Sequence, residues 1–224
     1  MNRILLSACL VAATLPLPSA SAQSPADTSL PVPTLLRFTD GAANALGIDL
    51  LRNMQLPEGQ REIRLWVGFG TIAPETLLRF RTGIGGHTIG TLHLHARSTE
   101  ESSDPEMRDW FRQQTEMYCV DYKIKDGEQA CTVRFRSTPQ WASILRNLEA
   151  NDLEKLPDES ELPETDFVVM DGSCLVVELL YGSRYRTYKY CNPIFRDEPE
   201  AVKASIIMNA VSDLYLKAAV ENER

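Results

Sequence analysis

The stretch "CLVVELLYGSRYRTYKYC", residues 174–191, contains the pattern that decides the fold. Two runs rich in β-branched, aromatic and apolar residues flank Gly182-Ser183, a dipeptide that favours a two-residue hairpin turn. Counting outward from that turn places Cys174 opposite Cys191, at a non-hydrogen-bonded position where a disulfide can form. The stretch therefore predicts an antiparallel hairpin clamped by a Cys174–Cys191 disulfide.

The remaining cysteines of the body of the chain predict a second disulfide. Cys119 and Cys131 flank Asp126-Gly127, another hairpin turn signal. A simple two- or three-residue turn does not place these cysteines opposite each other, so the Cys119–Cys131 bond requires a longer loop or a β-bulge. No C-x-x-C pair is present, so a thioredoxin-like redox centre or a zinc knuckle lacks its first requirement.

The side chains of the C-terminal hairpin suggest a binding surface. Arg184, Arg186, Tyr188 and Tyr190 share one face of the predicted strand, and Glu178 lies on the other. Guanidinium groups beside tyrosines can bind a carboxylate, a phosphate or an acidic loop of a partner. The alternative is that the arginine stems lie over the tyrosines at a sheet edge and their charges point to water.

The rest of the chain predicts more hairpins separated by helices. Residues 61–69 alternate as a half-buried strand, and 77–82 and 87–96 flank the glycine-rich loop "GIGG". Another strand is expected at 166–170. Helices are expected near 105–117 and 139–151 and from about 197 onward, the last with a core face of Val202, Ile206, Ala210, Leu214 and Ala218. This order predicts the α+β class, an antiparallel sheet of hairpins and meanders with amphipathic helices packed on one face.

The N-terminus predicts export. Arg3, an apolar run over residues 4–15 and the small residues Ala20-Ser21-Ala22 form the pattern of a secretory signal peptide, cleaved after Ala22. A lipoprotein-like cleavage box at 6–9 is the alternative, but three apolar residues before it are too few for a signal core. Residues 23–60 are then expected as a partly flexible arm with one short helix, and 61–224 as a single disulfide-bonded domain.

His93 and His95 are the candidate metal ligands, since alternate strand residues point to the same face. A four-residue "GIGG" loop would pair His93 with Thr76 and His95 with Pro74, so the neighbouring strand supplies no carboxylate as a third ligand. Exposed histidines on the outer face of a strand are therefore expected instead of a metal site.

Composition and missing motifs limit the possible functions. The chain has 31 acidic and 23 basic residues, a net charge of −8, which is unfavourable for binding nucleic acid or an anionic membrane. No segment after the leader is apolar enough to span a membrane, and no cofactor-binding or catalytic signature is present. The sequence therefore predicts an exported, periplasmic or secreted, non-catalytic protein that binds another protein of the cell envelope, such as an inhibitor, an immunity protein or an accessory protein. The alternative is an envelope hydrolase with a metal or carboxylate site.

Overall fold

A computed structural model describes most of the chain from residue 34 onward. The described residues are 34–69, 75–96, 109, 111–113, 115–125, 128–164 and 172–223. The strand predicted at 166–170 and much of the helix predicted at 105–117 lie outside these ranges, although residues 111–113 are helical.

Helices and strands both contribute to the fold. The helices are α1 (Thr34–Leu46), α2 (Trp141–Glu149) and α3 (Pro199–Glu223). The strands are β1 (Arg61–Gly68), β2 (Glu75–Thr82), β3 (Thr88–Ala96), β4 (Cys119–Lys125), β5 (Glu128–Val133), β6 (Cys174–Tyr181) and β7 (Arg184–Cys191). Short 3-10 turns occur at Leu51–Asn53, Glu159–Glu161 and Pro193–Phe195.

The strands form one sheet in the order β4-β5-β3-β2-β1-β6-β7. Every neighbouring pair is antiparallel, which confirms the predicted α+β class. Strand β1 joins the β2–β3 hairpin to the β6–β7 hairpin and is buried on both faces. Residues of β1 therefore pack against the segments that cover both faces of the sheet.

The C-terminal hairpin has the predicted register. Cys174 pairs with Cys191, and Tyr181 pairs with Arg184 across the turn. Gly182 has a φ of 60°, a left-handed conformation that glycine adopts without steric cost. The Cys174–Cys191 disulfide is present, with Cα atoms 4.1 Å apart.

The β4–β5 hairpin contains the predicted irregularity. Its register shifts between Val120 and Lys123, and Asp121 between them has a φ of 54°. Cys119 lies opposite Val133, so the Cys119–Cys131 disulfide runs diagonally between residues on one face. The bulge shifts the register by one residue, and Cys119 and Cys131 are bonded without lying directly opposite each other, although the prediction from the sequence requires them to be opposite.

Helices α2 and α3 pack on one face of the sheet and enclose the larger core. Leu145 and Leu148 of α2 are buried there, and the sheet contributes Ile63, Leu65, Leu78, Phe80, Leu92, Leu94, Val177 and Leu179. The residues of α3 in this core are Ala201, Ala204, Ile207, Met208, Val211 and Ala218.

The predicted core face of α3 is therefore wrong at two positions. Val202 and Ile206 are 44% and 46% exposed. The physical reason is that α3 carries apolar residues on opposite sides, so its periodicity alone does not identify the buried side.

Helix α1 packs on the opposite face, so the prediction that all helices share one face is not confirmed. Its residues form a second core with Trp66, Leu77, Ala130 and Val176 of the sheet. The sequence predicts that the segment 23–60 is a partly flexible arm. From residue 36 onward, side chains of this segment belong to the second core. No helix in the described ranges combines the length and apolar character that crossing a membrane requires.

Candidate functional site

The sheet face beneath α1 carries charged side chains at its centre. Strand alternation places Glu62 and Arg64 of β1 on this face, and cross-strand pairing places Arg79 and Arg81 of β2 beside them. Glu62 and Arg64 are fully buried. Because buried charges are costly unless they are paired, the contacts of these groups decide what the face can do.

Glu62 accepts hydrogen bonds from three arginines. Its Oε1 lies 2.8 Å from Nε of Arg64 and 2.7 Å from Nε of Arg79, and its Oε2 lies 2.7 Å from Nε of Arg81. Burial alone would raise the pKa of Glu62, but the hydrogen bond from Arg79 and the surrounding positive charges lower it to about 2. We call these four residues the Glu62 cluster.

Glu178 lies beside the Glu62 cluster. Its pair across β1 is Arg64, and its carboxylate accepts from Trp66 Nε1 at 2.7 Å and from the Tyr185 hydroxyl at 2.9 Å. Burial raises the pKa of Glu178. The sequence predicts that Glu178 lies on the hairpin face away from the arginines of β7, and the structure confirms this. Glu178 is buried, however, and its strand contacts the 3-10 turn Leu51–Asn53.

His93 and His95 are buried, so the prediction that they are exposed is wrong. The β2–β3 loop is one residue longer than expected, because Thr82 pairs with Thr88. Glu75 rather than Pro74 therefore lies opposite His95, and Leu77 rather than Thr76 lies opposite His93. This register turns Leu77 toward the second core beneath α1.

The corrected register gives each histidine ring polar partners on both nitrogens. His95 Nδ1 lies 2.8 Å from Glu75 Oε2, and its Nε2 lies 2.8 Å from Glu128 Oε2. His93 contacts the hydroxyls of Thr132 and Thr91 at 3.1 and 2.9 Å. Among the described residues, no group of three or more His, Cys, Asp or Glu side chains is arranged to hold a metal ion.

The environments shift the pKa values of the two histidines in opposite directions. Burial lowers the pKa of His93 to about 4, and the positive charges of Arg79, Lys123 and Arg64 act in the same direction. Burial by itself would lower the pKa of His95 too, but its hydrogen bonds to Glu128 and Glu75 raise it above 6.5.

The predicted binding residues of β7 do not form one exposed surface. They share a face, as expected, but Tyr188 is 2% exposed and Tyr190 is fully buried. The guanidinium of Arg186 donates to the backbone carbonyls of Glu154, at 2.6 Å, and of Leu156, and lies 5.0 Å from the centre of the Tyr188 ring.

The segment at 153–156 covers this part of β7. The Tyr188 hydroxyl donates to the carbonyl of Leu153 at 2.6 Å, and this hydrogen bond holds the tyrosine against the segment. Arg184 is the one exposed member of the four, and it lines an open cleft of about 550 Å³ beside the 182–183 turn. The contacts of Arg186 and Tyr188 are those of a packed sheet edge, with the arginine bound to backbone carbonyls.

The outward side of α3 exposes apolar side chains. Val202, Ile206, Leu216 and Val220 are between 44% and 56% exposed. On a helical projection with 3.6 residues per turn they lie within about 80° of one another, and exposed Asn209 and Asp213 lie between the two pairs. We call these four residues the outer stripe. Ile194, in the turn that contacts the start of α3, is also exposed.

Sequence reasoning missed the outer stripe although its signal was present. The apolar residues of α3 do not cluster on one side of a helical projection, and a helix that is apolar all round is usually covered on all sides. No model of a known protein family matches the chain, and no curated protein matches it. Function is therefore inferred from the geometry of the molecule itself.

Proposed function

We propose that this chain is an exported, non-catalytic protein that binds another protein of the cell envelope through the outer stripe of α3. The observation that carries the proposal is that α3 has apolar residues on two opposite sides. One side is buried in the larger core, and the other exposes Val202, Ile206, Leu216 and Val220. Exposed apolar residues grouped on a rigid element and rimmed by polar residues mark interaction sites in many proteins.

The charges beside the stripe define the chemistry of the partner. Arg196 is paired with Glu198 and Lys203 with Asp152. Asp213, which lies on the same side of α3 as the outer stripe, has no such ion pair within the described part of the chain. The partner surface is therefore an apolar patch flanked by Lys or Arg, because unpaired acidic groups favour positive charge across an interface.

A second copy of this chain is a less suitable partner for the outer stripe than a different protein. Asp213 lies near the middle of the outer stripe, so an antiparallel pairing of two stripes would bring two Asp213 carboxylates together. Like charges at short range repel, and each copy also has a net charge of −8. The acidic surface thus favours a different, basic protein.

Export is part of the same proposal. The leader pattern ending at Ala22 predicts a mature chain that begins at Gln23, in the periplasm or outside the cell. Two disulfides suit an oxidising compartment. The buried carboxylates Glu62 and Glu178 accept hydrogen bonds from side chains of neighbouring strands, which supports a structural role for these two groups.

Photo-crosslinking in the producing organism tests the proposal. A photoreactive residue at position 206 is expected to capture one dominant protein, in the periplasmic or secreted fraction, attached to a chain that begins at Gln23. The same residue at Ile124, an apolar side chain exposed on β4, is the matched control and is expected not to capture it.

Binding of the purified partner then measures the contribution of the stripe. Val202→Ser with Ile206→Ser is expected to weaken the affinity about tenfold or more, since buried apolar anchors dominate interface energies. Ile84→Ser with Ile124→Ser removes as many exposed apolar side chains and is expected to leave the affinity unchanged. Equal capture at both positions, capture of nothing but this chain, or equal effects of the two double variants would refute the proposal.

A further inference from the structure

Positive charge exceeds negative charge in the Glu62 cluster. Three guanidinium groups surround one carboxylate. Glu178 is the neighbouring carboxylate, opposite Arg64, and three arginines still outnumber the two glutamates if Glu178 is ionised. A partly buried group of like charges without sufficient counter-charge is unfavourable, so an additional anion would stabilise it.

The excess charge lies where the cluster meets solvent. The side chain of Arg64 is 1% exposed, that of Arg79 is 15% exposed and that of Arg81 is 47% exposed. Thr91 and Ile89, which pair with Arg79 and Arg81 on β3, are exposed as well. An ion can therefore reach Arg79 and Arg81 from solvent, whereas Arg64 is inaccessible.

The accessible arginines have unused donors. Arg81 donates Nε to Glu62, and Arg79 donates Nε and Nη2. Within the described ranges, both Nη groups of Arg81 and Nη1 of Arg79 have no hydrogen-bond partner. Guanidinium N–H groups are strong donors in a planar fork that matches two oxygens of one anion.

We propose that Arg81 and Arg79 bind a phosphate or sulfate group at the solvent edge of the Glu62 cluster. The two Nη groups of Arg81 contact two oxygens of the anion, and Nη1 of Arg79 contacts a third.

Glu62 prepares this site by holding both guanidiniums. Its carboxylate fixes Nε of Arg79 and of Arg81 at 2.7 Å each, so neither side chain has to be ordered when the anion binds. Arg64 is held in turn by the carbonyl of Asp49 at 2.7 Å. The site is therefore preorganised, which reduces the entropic cost of binding. It lies on the sheet face opposite the core that contains α3, and it is independent of the proposed protein interface.

Thermal unfolding in inorganic phosphate tests the site. Millimolar phosphate is expected to raise the Tm of the full chain by about 2–4 °C relative to chloride at equal ionic strength, because an anion that binds the folded state stabilises it. Sulfate is expected to act in the same way, and acetate, with a single negative charge, less.

Three variants separate specific binding from charge screening. Arg81→Gln is expected to lose the phosphate shift, and Arg81→Lys, which keeps the charge without the fork, to lose most of it. Arg184→Gln removes another exposed arginine, on the other face of the sheet, and is expected to keep the full shift. Calorimetric titration with phosphate is expected to show one site in the wild type and none in Arg81→Gln. No shift beyond chloride in the wild type, or an undiminished shift in Arg81→Gln, would overturn the proposal.

Discussion

Glu62 illustrates how one buried side chain specifies the pairing of strands. It belongs to β1 and accepts hydrogen bonds from Arg79 and Arg81 of β2. A slip of one residue between these strands would turn charged side chains toward the apolar core that contains Ile63 and Phe80. Because an unpaired buried charge costs several kcal/mol, the charges reinforce the register that the apolar residues prefer.

His93 and His95 are expected to give stability opposite dependences on pH. The pKa of His93 is lowered from 6.5 to about 4 in the folded state. Protonation of the unfolded chain therefore competes with folding, and stability is lost as the pH falls from 6.5 toward 4. The pKa of His95 is raised, so its contribution is complete below 6.5 and is lost as the pH rises through the folded value.

Chemical denaturation across this pH range checks both contributions. In the wild type, the free energy of unfolding is expected to fall toward acid pH by about 2–3 kcal/mol more than in His93→Gln, since one pKa unit corresponds to about 1.4 kcal/mol. His95→Gln is expected to flatten the alkaline side of the curve instead. Parallel curves for the three proteins would contradict these assignments.

At the level of elements, both disulfides fasten an edge strand of the described sheet to its neighbour. Cys119–Cys131 joins β4 to β5, and Cys174–Cys191 joins β6 to β7. Edge strands have unpaired backbone groups on one side and are the sites where sheets fray or aggregate. The two disulfides thus stabilise the edge strands, which have backbone hydrogen bonds to a neighbouring strand on one side only.

Removal of the C-terminal bond is expected to destabilise the fold measurably. Cys174→Ala with Cys191→Ala opens a loop with a sequence separation of 17 residues, which corresponds to about 3 kcal/mol in the chain-entropy account. Urea unfolding under non-reducing conditions measures the loss. Reductant, which also breaks Cys119–Cys131, is expected to destabilise the wild type at least as much, and an unchanged midpoint in the double variant would show that the C-terminal bond does not contribute.

At the level of the whole molecule, the sheet is a middle layer between two helical covers. α2 and α3 enclose the larger core, and α1 encloses the second core over Trp66 and Leu77. Strands β1, β2, β5 and β6 therefore have residues in both cores. The two covers are expected to unfold as one cooperative unit with the sheet.

A charge placed beneath α1 tests that cooperativity. Ala43 is 1% exposed, and Ala43→Asp is expected to lower the free energy of global unfolding by about 2–4 kcal/mol, because the carboxylate has no partner in that core. Asn44→Asp adds the same charge at the adjacent exposed position, where the side chain accepts from Lys125 Nζ, and is expected to change it by less than about 1 kcal/mol, since exposed ion pairs contribute little. If α1 were a detachable arm, Ala43→Asp would leave the global transition unchanged.

The sequence by itself determined the features that depend on neighbouring residues. The turn at Gly182-Ser183 and strand alternation specify the register of β6 and β7, and with it the Cys174–Cys191 bond. The need for a bulge or a longer loop between Cys119 and Cys131 likewise follows from counting residues along one hairpin, although the bonded cysteines lie diagonally and not opposite each other. These predictions succeeded because each involves two strands joined by a short loop.

Tertiary structure decided the features that depend on contacts between distant segments. Tyr188 is buried because the segment at 153–156 lies over it, and His95 meets Glu128 because β5 pairs with β3. The outer stripe of α3 is exposed because the opposite side of this doubly apolar helix packs against the sheet. Local periodicity shows which faces of a segment are apolar enough to be buried. When a segment has more than one such face, the packing of the whole chain decides which one is buried.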